Sequence, residues 1–277
     1  MTATTATTAT TATGLCPGAK TSWTELNAAD DLSNIREPAH AVRFGLWRIR
    51  FQGLTIYAHD LMSFYYSARD IFLGGLYHFD TPRTEDRIID GGAHIGLFSL
   101  FAARQAPNSA IIAFEPNPAS LDFLRLNIQA NGLDGQVTVQ ESGLSDSEGR
   151  APFLAGESDS SSLCAAGPGC TIATVRLGKW LEEPAAVLKL NIEGAECAVI
   201  EESESRLRSV EKIFIEYHGF PELPQTLHRI LAALDRAGFR YCLGAMDRET
   251  NPVCHAPFNL GQRRFFNLVY AERQERT

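Results

Sequence analysis

The chain has 277 residues, 44 % of them hydrophobic and 21 % charged, enough apolar material for one substantial core and a small annex. Its formal net charge of −8 leans against a nucleic-acid partner, because phosphate binding draws on clustered Lys and Arg. No run approaches the roughly 18 uninterrupted apolar residues of a membrane span, and the start lacks the basic and apolar stretches of a secretory leader.

Residues 1–20 are a Thr/Ala repeat running into Gly and Pro, with little to bury, and read as a disordered tail. Residues 21–86 form the expected annex. Up to about Glu37 it is polar and helical at best. Trp47–Phe51 and Leu54–Ala58 then flank Gln52-Gly53 as a β-hairpin, and Asp60–Leu73 reads as a helix stopped by Gly74-Gly75. From residue 87 to the end the pattern becomes strand, turn, helix, repeated. Arg87–Asp90 is a strand broken by Gly91-Gly92, and Ile95–Arg104 is an apolar helix. Ala110–Phe114 is the second strand. Asn117 then suits an N-cap and Pro118 the first helical position, with Leu121, Leu124 and Ile128 on one face and Gly132 as the stop.

Val137–Val139 begins a third strand, and a Ser/Gly-rich stretch at 156–169 lies between two further strand-like segments. Ser158–Ser162 within it reads as an exposed loop. Val187–Ile192 and Lys212–His218 are buried strands, with a helix from Ala195 between them. Leu227, Ile230, Leu231 and Leu234 mark an amphipathic helix stopped by Gly238. Phe239–Met246 and Phe265–Glu272 close the pattern. Alternation of this kind predicts a largely parallel sheet with helices on both faces, whose ligands bind beyond the strands' carboxyl ends. The six cysteines (Cys16, Cys164, Cys170, Cys197, Cys242, Cys254) show no zinc-site spacing and read as the reduced thiols of a cytoplasmic protein, with no metal site.

The residues with chemistry sit where predicted strands end. Gly91, Gly92 and Gly96 allow a close backbone approach to a ligand. Their pattern is D-x-G-x-x-x-G from Asp90. A dinucleotide fingerprint started at Gly92 would need glycine where His94 and Leu97 stand. Glu115 ends the second strand, where a carboxylate accepts the hydroxyls of an adenosine ribose. That role suits either S-adenosylmethionine or NAD, and the glycine spacing favours the former.

The ordered runs IIDGGAHIGLFSL, IIAFEPNPASLDFLRLNIQANGL, KLNIEGAECAVI and FIEYHGF resemble the FkbM-type methyltransferase family, from about Leu46 to the end and most closely over Ile88–Gly219. The resemblance implies a class I methyltransferase (Rossmann-like) sheet of seven strands, mostly parallel with an antiparallel last strand. It also implies S-adenosylmethionine as methyl donor. Asp90 and Gly92 would then approach the donor's methionine portion, Glu115 would hold the ribose, and Glu141 and Ser142 would lie beside the adenine, with Gly91, His94, Gly96 and Asn117 as further cofactor-binding residues. Two positions depart from the family: His94 stands where Asn is common, and Asn191 where Asp is common.

Asn191 and Glu193 are expected to project from one strand end on the same side, as are Glu216 and His218 from the next. Methyl transfer from a sulfonium is an in-line displacement helped by holding the acceptor about 3 Å from the carbon. A hydroxyl acceptor also needs a proton acceptor. His218, of a residue type whose pKa lies near 6.5, is the first candidate and Glu193 the second, with Asn191 as a third catalytic residue and Glu216 structural. Tyr65, Tyr66, Tyr77, His78 and Phe79 read mainly as core, with Tyr77–Phe79 as a cover for the cofactor. The expected activity is O-methylation of a small molecule or sugar-containing metabolite. A nicotinamide-dependent oxidoreductase and a non-catalytic S-adenosylmethionine-binding partner domain are the rivals.

Overall fold

The computed structural model describes residues 22–80, 87–154, 162–163, 170–244 and 264–273. The Thr/Ala tail, most of the Ser/Gly-rich stretch, Cys16, Cys164 and Cys254 lie outside the described residues. In chain order the strands are β1 (Thr24–Asn27), β2 (Phe44–Phe51), β3 (Leu54–Asp60), β4 (Arg87–Gly91), β5 (Ala110–Phe114), β6 (Val137–Gln140), β7 (Gly143–Ser145) and β8 (Gly149–Leu154). They continue with β9 (Ser162–Leu163), β10 (Cys170–Arg176), β11 (Ala185–Leu190), β12 (Val210–Gly219), β13 (Phe239–Gly244) and β14 (Phe265–Arg273). The helices are α1 (Arg36–Ala41), α2 (Leu61–Ala68), α3 (Leu97–Gln105), α4 (Pro118–Ala130), α5 (Leu177–Trp180), α6 (Glu196–Ser203) and α7 (Leu227–Arg236).

The main sheet has seven strands in the order β13-β14-β12-β11-β4-β5-β6, parallel from β12 to β6, with β14 antiparallel to both neighbours. This is the class I methyltransferase sheet. Alternation along each strand divides the apolar residues between two cores. Ile88, Ile111, Val187 and Phe214 face one core with α3, α4 and the N-terminal elements, while Ile89, Ile112, Leu188 and Ile213 face the other with α6 and α7. Asp90, Lys189 and Glu216 are in phase with the first set, so all three project from the same face.

The hairpin turn is as expected: Gln52 and Gly53 take φ of 47° and 81°, the left-handed pair that matches strand twist. Asp60 caps α2 by accepting from the backbone N–H of Met62 (3.0 Å) and Ser63 (3.1 Å). The helix then widens into a π-turn at Arg69–Leu73, ending at Gly74. Asn117 caps α4 by accepting from the N–H of Ala119 at 3.1 Å, with Pro118 at the first helical position.

The expected helical character before Glu37 gives way to a strand, because β1 adds to the open edge of β2 as a parallel neighbour and Trp23 buries itself against Tyr57 and Phe123. The other edge of this three-stranded sheet is satisfied by side chains. The Asn127 amide bonds the N–H and C=O of Tyr57 (2.6 and 3.0 Å), and Asn131 does the same for Thr55 (3.0 and 2.8 Å). Asn127 also donates to Ile95 O at 2.7 Å, linking hairpin, α4 and the loop before α3. The strands flanking the Ser/Gly-rich stretch, with β9 inside it, form a second sheet of order β7-β10-β8-β9.

Candidate active site

A cavity of about 260 Å³ opens where β4, β5, β11 and β12 end, bounded on the far side by α2 and its π-turn. The glycine turn forms its floor. Gly92, at φ 80°, lies so close to the turn after β11 that a Cβ would sit 1.9 Å from the Asn191 carbonyl oxygen. At Gly96 (φ 90°) a Cβ would meet Leu124 at 2.6 Å. These glycines are therefore required by protein packing, with the ligand space left above them. His94 takes φ 51°, a left-handed conformation in which His, like Asn, is enriched among non-glycine residues.

Asp90 is fully buried and held by Ser99 Oγ (2.7 Å) and Lys189 Nζ (3.1 Å). Lys189 also donates to the carbonyls of Gly92 (2.7 Å) and Gly91 (3.4 Å), fastening the turn to the sheet. Sequence reading passed over this residue. Its signal is a lone cation in the apolar strand AAVLKL, paired in register with Asp90.

Glu115, buried at the opposite end, accepts from the N–H of His94 (2.7 Å) and of Asn117 (2.8 Å). Burial pushes its carboxyl up to about 7, against the pull of those two amides. Gly143, Leu144 and Phe153 line the wall beyond it. Glu141 and Ser142, expected beside the adenine, are not among the residues lining the cavity. β6 ends at Gln140, and the Glu141 side chain, 62 % exposed, turns to solvent against Arg125 of α4. The buried Ser142 is held through its N–H on Gln140 O at 2.9 Å. Asn117 serves as a helix cap.

The other end of the cavity departs furthest from expectation. β11 stops at Leu190, so Asn191 and Glu193 stand on a turn, with Glu193 at φ 55° and Gly194 at φ 102°. Strand alternation does not place them. The turn is held by Glu196, another residue sequence reading did not single out, which accepts from the N–H of Ile192 (3.2 Å) and Gly194 (3.1 Å). His218 lies beneath, its Nδ1 2.9 Å from Glu196 and its Nε2 3.2 Å from Glu193. Burial alone would lower its pKa, but hydrogen bonds and charge from the two glutamates hold it up at about 10. It is a cation at neutral pH with both ring nitrogens engaged by glutamates. Glu193 is also bonded to Arg264.

Glu216 lines the cavity and is 4 % exposed. Burial pushes its carboxyl up to about 7, opposed by the His218 charge and reinforced by Asp70. Tyr66, Asp70 and Tyr77 close this end from the N-terminal elements, whereas His78 is exposed and Phe79 is buried in the core.

Residues 90–241 match the profile described as "Methyltransferase FkbM domain". The chain belongs to the FkbM methyltransferase family. Among curated relatives, it is 35 % identical over 100 residues to "Methyltransferase sdnD" of Sordaria araneosa, covering 36 % of this chain and 39 % of that one. It is 38 % identical over 71 residues to "31-O-demethyl-FK506 methyltransferase FkbM" of Streptomyces tacrolimicus, covering 25 % and 27 %. The chain thus spans about two-fifths or less of the length of these relatives. Among solved structures, the FkbM methyltransferase of Methylobacillus flagellatus KT superposes with a TM-score of 0.49 at 17 % identity, covering 76 % of this chain and 50 % of the other.

The family's methyl donor is S-adenosylmethionine, and the residues present fit it. The cavity offers a buried carboxylate at one end and, at the other, an Asn191 Oδ1 that is buried without a hydrogen-bond partner. Among the described residues no helix is long and apolar enough to cross a membrane, and no cluster of three or more His, Cys, Asp or Glu could hold a metal ion.

Proposed function

We propose that this chain transfers a methyl group from S-adenosylmethionine to a hydroxyl oxygen of a small molecule. The observation that carries the reading is one continuous cavity with Glu115 at one end and Asn191, Glu193 and Glu216 at the other. In this reading the Glu115 carboxylate accepts the ribose hydroxyls with the lone pairs left free by His94 and Asn117. The glycine turn anchored by Asp90 and Lys189 meets the methionine portion, and Gly143 with Leu144 flanks the adenine. The donor supplies an electrophilic methyl carbon on a positively charged sulfur.

The chain's share is to exclude water and align the acceptor, an effect that by itself accounts for many orders of magnitude in rate. Asn191 presents an amide at the reacting end, and Glu193, fixed between His218 and Arg264, contributes negative potential near the sulfonium. The oxygen preference draws on the Streptomyces relative, a 31-O-demethyl-FK506 methyltransferase. The N-terminal elements, residues 21–86 in the expected division, supply the acceptor-side wall through Tyr66, Asp70 and Tyr77.

Calorimetric titration with S-adenosylhomocysteine, with NAD in parallel, tests the donor. The expected result is micromolar binding of the former alone, and binding of NAD alone would refute the reading. Transfer of a labelled methyl group to a panel of alcohols and amines tests the acceptor atom. Label found only in amines would refute the oxygen assignment.

A further inference from the structure

Four carboxylates line the cavity, and three are already committed. Glu115 holds two backbone amides, Glu193 is bonded to His218 and Arg264, and Asp70 is paired with Arg69 at 2.8 Å. Among the described residues nothing hydrogen-bonds the carboxylate of Glu216, although that residue is only 4 % exposed. A buried carboxyl is normally satisfied by neighbours. Two more groups in the same wall lack hydrogen-bond partners: Tyr77 Oη and Asn191 Oδ1 are buried without them. One acceptor-only carboxylate, one phenol and one amide oxygen, unpaired together at one end of a cavity, form the complement of a polar ligand.

We propose that Glu216 is the catalytic residue that takes the acceptor's hydroxyl proton, the acceptor being a neutral alcohol. This rests on the methyltransferase reading and adds to it the proton acceptor. The acceptor oxygen forms its bond to the methyl carbon as the carbon–sulfur bond breaks. The electron pair of that bond stays on sulfur as the thioether, and the hydroxyl proton passes to a carboxylate oxygen of Glu216. Tyr77 and Asn191 are then free to bond a second polar group of the acceptor. A carboxylate or phosphate ester placed beside the Glu216 carboxylate, which has no ion-pair partner of the kind that Asp70 and Glu193 have, is disfavoured by its negative charge.

The charged and titratable groups facing Glu216 are consistent with this role. His218 lies two residues along β12, Asp70 faces it from the π-turn and Tyr270 from β14, while Lys189 is tied to Asp90 and the glycine turn. A carboxyl held near neutrality by burial is matched to proton transfer at physiological pH.

The test uses two ligands and no acceptor. S-Adenosylhomocysteine is neutral at sulfur, whereas sinefungin carries an ammonium where the transferable methyl would be. Both are titrated calorimetrically into the wild-type chain, E216Q and E216D between pH 6 and pH 8. The expected result is that E216Q keeps S-adenosylhomocysteine affinity within about threefold and loses about tenfold in sinefungin affinity at pH 8. Wild-type sinefungin affinity should rise with pH across this range, E216D should retain part of the rise, and E216Q should lose it. An equal change for both ligands, or no change for either, would overturn the assignment while leaving the methyltransferase reading intact. Failure of the wild-type chain to bind S-adenosylhomocysteine would take down both.

Discussion

Replacing Lys189 with methionine keeps most of the side-chain volume and removes a charge that three groups depend on. Asp90 and Lys189 have side chains 0 % and 5 % exposed, so the pair belongs to the buried regime, in which removal of one partner leaves an uncompensated charge. Ser99 still donates to Asp90 in the variant, but Gly92 O loses its 2.7 Å donor. The expected loss is about 3–5 kcal/mol, or roughly 10 °C in melting temperature for a chain of this size. Urea unfolding followed by circular dichroism measures it, with D90N and the D90N/K189M double variant completing the cycle. The double variant removes both charges and should recover at least half of the loss. Because the turn is released, K189M should also bind S-adenosylhomocysteine at least tenfold more weakly. A loss below about 1 kcal/mol, or a double variant no more stable than K189M, would refute the view that Asp90 is charged and dependent on Lys189.

Two other substitutions probe the ends of the cavity. E115A removes the acceptor of the His94 and Asn117 amides and the proposed ribose ligand, so S-adenosylhomocysteine affinity should fall about a hundredfold while the far-ultraviolet spectrum is kept. Unchanged affinity by calorimetry would displace Glu115 from the cofactor site. His218 has its pKa raised from 6.5 to about 10, so its stabilising contribution is complete below pH 6.5 and fades as pH rises through 10. H218Q should accordingly be less stable than wild type at pH 7 by several kcal/mol, with the gap closing towards pH 10. Thermal melts across that range report it, and a gap that does not depend on pH would mean the ring is not held as a cation.

Much of this protein is legible in its residues taken in order. The left-handed turn at Gln52-Gly53, the Asn117-Pro118 helix start and the glycine stops at Gly132 and Gly238 follow from local backbone preferences. The strand–helix alternation from residue 87 and the ordered family runs were likewise open to a one-dimensional reading, and so was Glu115 at the end of the second strand. β1 was not legible. Its four residues become a strand only because β2 has an open edge, a condition set far along the chain. The same holds for Asn127 and Asn131, which resemble ordinary surface amides until β3 arrives to be bonded.

The end of the cavity at β11 and β12 was decided by tertiary structure for an electrostatic reason. In sequence, His218 was the group with the suitable pKa and Glu216 a neighbour two residues away. Folding places two glutamates against the histidine, making it a lasting cation, and buries Glu216, raising its carboxyl to about 7. A side chain's identity sets its intrinsic pKa. The charges and solvent around it, contributed by α6, the π-turn and the turn after β11, set the value at which it works.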